Sequence, residues 1–201
     1  MSGCRALTDE EIVLVRRSFG GEFARRDEAL FMLGVKAGFR ISELIAIRVK
    51  DVVQYGKIAD RVEVSRQHMK GKQHSRSVPI HADARESLAR WLPILQARLE
   101  GVLPGETPVF CSRVKDTQTG LPRAISREQG WRILKEAFDT NELSGKLATH
   151  SLRKTFAVHV HAAYDGDLRK TQRALGHHNI NSTLHYLALD EAEVDAGILA
   201  A

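Results

Sequence analysis

Tyr186 is one of three tyrosines in a chain of 201 residues, and it stands nine residues after His177. Upstream lies His150-Ser151-Leu152-Arg153, and far upstream Gly38-Phe39-Arg40-Ile41-Ser42-Glu43-Leu44. An ionised phenol is a nucleophile, guanidiniums neutralise oxyanions, and imidazoles accept or donate protons. One tyrosine, two arginines and two histidines therefore suit attack on a phosphodiester without a metal, with the tyrosine as the point of covalent attachment.

These residues need elements to position them. His150 and Arg153 are three apart and share one face of a helix predicted over Thr149–Tyr164. Thr149 is placed to cap it, which points free backbone N–H groups the same way. Leu152, Phe156, Val160 and Ala163 make the buried stripe of that helix. Tyr164 is eleven residues beyond Arg153, about 16 Å along the axis and too far to share a phosphate. Tyr55 falls in a sheet turn. Tyr186 alone comes from a separate element, over Asn181–Leu187, able to fold back over such a site. Taken singly, the His-Arg pair reads as an ordinary helix start, and a tyrosine beside Leu184 and Leu187 as ordinary core; the combination carries the argument.

The fold class is mainly α with a small antiparallel β-sheet (α+β). Thr8-Asp9-Glu10-Glu11 opens a helix through Phe19, with acids in its first turn. A second runs over Phe23–Ala37 and stops at Gly38, and a short helix follows Arg40 through Ile47. Between Val49 and Ile80 the period changes: Arg61–Ser65 and Ser75–Ile80 alternate, with Lys70-Gly71-Lys72-Gln73-His74 as a polar hairpin tip. Ala82–Leu99 is helical, with a distortion expected at Pro93. Gly101–Pro122 reads as loop with one short strand around Val109, and Ser126-Arg127-Glu128-Gln129 as a capping box opening a helix through Phe138. Further helices are predicted over Leu168–Leu175 and, in the tail, Asp190–Leu199.

Thirty Lys and Arg against 25 Asp and Glu give a net charge of +5, a balance that favours a polyanionic partner. The two cysteines, Cys4 and Cys111, with one in the N-terminal tail, fit a reducing compartment. No apolar run reaches membrane-spanning length, so a cytoplasmic protein is expected. His159-Val160-His161 and His177-His178 do not make a metal site, because residues two apart on a helix diverge and no Cys or acidic partner stands at ligand spacing. His159, His161, His178 and His185 read as ordinary histidines. No metal, cofactor or small-molecule substrate is expected.

In order and spacing these motifs resemble the catalytic domain of the tyrosine recombinase, or phage integrase, family: Gly38–Leu44, His150-Ser151-Leu152-Arg153-Lys154-Thr155-Phe156-Ala157, and Leu175-Gly176-His177 with Tyr186 following. Each motif is weak alone; the ordered set is specific and covers Leu7–Leu189. The resemblance implies that Tyr186 attacks the scissile phosphate of double-stranded DNA, giving a 3′-phosphotyrosyl link and a free 5′-hydroxyl. Arg40 and Arg153 would hold the non-bridging oxygens. His150 would be general base, His177 would donate a hydrogen bond to the phosphate, and Glu43 would pair with Arg40 or orient the site. A hairpin lysine would protonate the leaving oxygen. The family's spacing falls on Gly71, so Lys70 is assigned, with a slightly longer turn, and Lys72 is the alternative. Arg169, Lys170, Arg173 and Lys154 are expected to meet backbone phosphates rather than read bases.

The expected organisation is an N-terminal tail over 1–7, a catalytic domain over 8–189 and a C-terminal tail over 190–201. That tail joins Asp190, Glu191, Glu193 and Asp195 to an apolar stripe of Val194 and Ile198, and packs on its own domain or on a neighbouring protomer of a tetramer. No N-terminal core-binding domain is expected ahead of Thr8, and weak, salt-dependent DNA binding is expected with it. A type IB topoisomerase and a non-catalytic DNA-binding regulator are the alternative functions.

Overall fold

The computed structural model describes residues 3–64, 76–184, 186–187 and 199. Among them the chain is mainly helical, with three antiparallel two-stranded hairpins instead of one small sheet. It divides into two compact units, residues 1–156 and 157–201.

The first unit opens with α1 (Asp9–Ser18), which starts after Thr8 as the sequence predicts and adds a capping box: the Glu11 amide donates to Thr8 Oγ1 and the Thr8 amide to Glu11. The next helix, α2 (Ala24–Ala37), is buried nearly all round, with Ala29 through Leu33 at 0–1% exposure, which marks the centre of a core. It ends at Gly38, left-handed at φ 62°, whose N–H returns to the Gly34 carbonyl. Two short helices follow, α3 (Ile41–Leu44) and α4 (Val49–Val52), then the ribbon of β1 (Val53–Gln54) and β2 (Lys57–Ile58). Tyr55 and Gly56, both at positive φ, make its two-residue turn, which places Tyr55 as expected and leaves it fully exposed.

The alternating segments pair as β3 (Arg61–Val64) and β4 (Arg76–Pro79), in a register that sets Val64 opposite Arg76 and Val62 opposite Val78. Helix α5 (Ala82–Arg98) runs as one element with Pro93 inside it and packs against α2; its Trp91 donates to the Val109 carbonyl at 2.7 Å. Val109 is not in a strand. Its amide bonds to Ile47, and the strand begins two residues later, as β5 (Cys111–Lys115) paired with β6 (Pro122–Ala124). Asp116 builds the intervening turn by accepting from the amides of Gln118 and Thr119. Ser126 caps α6 (Arg127–Thr140) through the Gln129 amide.

Helix α7 (Thr149–Ala163) approaches α2 closely enough that two glycines are required. A Cβ on Gly34 would meet Leu152 Cδ1 at 2.5 Å, and one on Gly38 would meet the Phe156 ring at 2.2 Å. Leu152 and Phe156 are buried there as the helical stripe predicts, each contributing about 2 kcal/mol. The stripe does not continue: Val160 is half-buried and Ala163 exposed. Thr149 is a helical residue rather than the cap, and the hydroxyl at this end is Ser151's, which accepts the Ala148 amide at 3.1 Å. In the second unit, α8 (Leu168–Leu175) is capped by Asp167 and ended by Gly176, and α9 (Ile180–Leu184) leads to Tyr186. No helix among the described residues is long and apolar enough to cross a membrane.

Candidate active site

In the first unit the end of α2 gathers three guanidiniums. Arg40 precedes α3, and both its amide and its guanidinium reach Glu43, at 2.8 Å each. Glu43 is fully buried, and its carboxylate is a fixed anchor for Arg40. From α7, Arg153 enters at 1% exposure and donates to the Gly38 carbonyl at 2.5 Å. From β4, Arg76 donates to the same carbonyl at 3.3 Å and to that of Ala37 at 3.0 Å. These are the carbonyls a helix leaves without intrahelical partners, at the negative end of its dipole. Two cations therefore hold the turn that launches Arg40.

Electrostatics ties the group together. Burial first, then the charges of Arg153 and Arg40, lowers the Arg76 pKa to about 9 against the opposing pull of Glu43. It remains protonated at neutral pH. His150, exposed at the start of α7, has its pKa pushed below 6.5, by partial burial first and then by Arg153 and Arg40. The imidazole is held neutral at pH 7 and can accept a proton. Lys154, adjoining Arg153, is half-buried.

In the second unit the relevant bonds are local. Gly176 closes α8 in the left-handed conformation, and the His177 amide returns to the Gln172 carbonyl. His177 Nδ1 lies 2.9 Å from Thr183 Oγ1, and its ring centroid is 5.3 Å from that of Tyr186. The Thr183 carbonyl accepts the Tyr186 amide at 3.0 Å. Thr183 thus fixes both the imidazole and the turn that carries the phenol. Arg169, Lys170 and Arg173 are exposed on α8, with Lys170 Nζ 3.5 Å from Asp167. His161 bonds Thr171 at 3.0 Å, a structural contact.

The structure thus groups Arg40, Glu43, His150 and Arg153 in one unit and pairs His177 with Tyr186 in the other. Lys70, Lys72 and His185 lie outside the described residues, as do residues 190–198 of the tail. Among the described residues, no group of three or more His, Cys, Asp or Glu side chains is arranged to hold a metal ion. Sequence reasoning missed Arg76 and Thr183. Arg76 was detectable as a charge on the inward face of an alternating strand, in phase with Val78. Thr183 was detectable as a hydroxyl three residues before Tyr186.

The fold is that of a recombinase catalytic domain. The crystal structure of XerA recombinase matches with a TM-score of 0.73 at 19% identity, covering 99% of this chain and 66% of that one. XerH site-specific recombinase bound to a palindromic difH substrate matches with a TM-score of 0.71 at 22% identity, over 96% of this chain and 52% of that one. Residues 9–193 fit the sequence pattern of the phage integrase family, and the chain belongs to it. Tyrosine recombinase XerC of Azotobacter vinelandii is 36% identical over 171 residues, covering 83% of this chain and 49% of that protein. The chain spans about half the length of the curated relatives it matches.

Proposed function

We propose that this chain is the catalytic part of a site-specific DNA recombinase that cuts and rejoins strands through Tyr186. The observation that carries the reading is the charge at the end of α2, where three guanidiniums gather with one buried carboxylate. That positive excess suits a phosphodiester, whose transition state carries more negative charge than its ground state. In this reading Tyr186 Oη attacks phosphorus as the bond to the 5′-oxygen breaks, with His150 taking the phenolic proton. Arg40, Arg153 and His177 stabilise the phosphate oxygens, and Lys70, or Lys72 in its place, protonates the leaving oxygen. Attack by a 5′-hydroxyl of a second duplex reverses the step and conserves the bond energy. Exchange between two duplexes breaks four strands at one tyrosine each, which calls for a tetramer on double-stranded DNA. The 190–201 tail is then the segment available to link protomers, while Arg169, Lys170, Arg173 and Lys154 serve the DNA backbone.

The test uses a pool of nicked duplexes with a randomised core, incubated at low salt to favour weak phosphate contacts. A covalent adduct that survives denaturation, is lost in Tyr186→Phe and enriches one sequence is the expected result. An adduct without sequence enrichment, coupled to relaxation of plasmid lacking any site, moves the reading to a topoisomerase. No adduct from the wild-type chain overturns it.

A further inference from the structure

Arg76 takes no part in the chemistry assigned above, yet it is costly to place. It is 8% exposed, on a strand, and surrounded by two like charges. Burying a guanidinium so thoroughly needs full compensation. Part of that compensation is visible. Its Nη atoms bridge the Ala37 and Gly38 carbonyls, and its Cζ sits 4.9 Å from the Phe39 ring centroid and 5.9 Å from that of Phe156. The residues it touches are those that set the cradle. Gly38 O is the acceptor that aims Arg153, Phe39 precedes Arg40, and Phe156 lies three residues beyond Arg153 on α7. A purely structural need to cap α2 would be met by Arg153 alone at Gly38 and by a neutral donor at Ala37, which is itself only 1% exposed. A second cation on one carbonyl instead restricts where the first can sit, because like charges at this distance repel.

We propose that Arg76 is a positioning residue for the phosphate cradle: by holding the Ala37 and Gly38 carbonyls it fixes the turn that launches Arg40 and the oxygen that aims Arg153. It acts through those two arginines and does not itself touch the phosphate. Misplacement of a catalytic group by about 1 Å costs about 100-fold in rate, so loss of Arg76 acts on the chemical step and spares DNA affinity.

The inference rests on the cradle being a phosphodiester site, and two measurements separate its failure from the failure of that reading. The first is single-turnover adduct formation on the duplex recovered from the randomised pool, for Arg76→Gln, Arg153→Gln and the double variant. Arg76→Gln is expected to lose about 30-fold in rate with DNA affinity within about threefold, and the double variant to lose less than the product of the two single losses. Arg76→Lys keeps the buried charge and serves if the glutamine variant does not fold; a single ammonium spans both carbonyls poorly, and about a tenfold loss is expected. The second measurement needs no DNA: the Nε–H resonance of Arg153 in the free protein shifts or broadens when Arg76 is changed. Multiplicative losses in the double variant, a wild-type rate in Arg76→Lys, or an Arg153 resonance unmoved by the substitutions overturns the proposal. If the wild-type chain forms no adduct at all, the functional reading fails and the Arg153 resonance alone decides for or against Arg76.

Discussion

In the arginine cradle the bonds join residues far apart in sequence: Arg153 reaches Gly38 across 115 positions, and Arg76 reaches Ala37 across 39. Around Tyr186 they are short-range, with His177 meeting Thr183 six residues on and Tyr186 returning to Thr183 three residues back. The cradle is also buried, with Glu43 and Arg153 at 0–1% exposure, whereas His177 and Tyr186 are half-buried. A set of long-range, buried bonds forms only when the whole unit folds and opens only at the cost of unfolding it. A local set of bonds can open at far less cost. The proposed chemistry therefore pairs a fixed electrostatic site with a nucleophile whose placement is adjustable, so substitutions in the two regions should have different signatures.

The largest effect is expected at the fixed site. Arg153→Gln should lower single-turnover cleavage about 1,000-fold, in line with removal of a preorganised oxyanion donor. Loss below about tenfold would mean that the buried guanidinium serves the fold and not the phosphate. Next is Gly38→Ala, which forces a side chain into a left-handed position and into the Phe156 ring. It should cost about 3 kcal/mol in urea unfolding, from strain and overpacking together. Gly120→Ala is the control: it shares a positive φ of 69° but meets nothing within 4 Å, and should cost about 1 kcal/mol. Equal losses at the two positions would deny the close α2–α7 approach.

In the tyrosine region, Thr183→Val removes the hydroxyl while keeping the shape. Cleavage is expected to fall about tenfold, with Thr183→Ser near wild type, since one orienting hydrogen bond is worth about 1 kcal/mol. A valine variant at the wild-type rate would separate Thr183 from the chemistry. The smallest effect is a titration. The folded His150 pKa lies below the ordinary 6.5, so the unfolded chain takes up the proton first. Its contribution to stability is intact above pH 6.5 and is lost as pH falls through the lower, folded value. In NMR of the free protein its midpoint should lie below 6.5 and rise in Arg153→Gln. A wild-type midpoint at or above 6.5 would contradict the electrostatics of the cradle.

The same contrast explains what could be read from the sequence. Helix starts such as Thr8, the stop at Gly38, the alternation of the two strands that pair as β3 and β4, and the His150–Arg153 spacing are local patterns, and each was legible. So was the nine-residue spacing that links His177 to Tyr186. The inward phase of Arg76 was also there to read, but its role was not, because its partners are the carbonyls of Ala37 and Gly38, which no side-chain pattern announces. The strand expected at Val109 failed for a related reason. Val109 is fully buried, but its backbone groups go to Ile47 and Trp91 rather than to a strand partner. The turn at Tyr55 was legible, but the strands it joins, β1 and β2, are two residues each and too short to show a period.

The most direct test of the whole account is the chemical location of the DNA link. Protease digestion of the denatured adduct, followed by mass spectrometry, should find the nucleotide attached through the phenolic oxygen of Tyr186. Attachment at Tyr164, at Tyr55 or at any other side chain would contradict it.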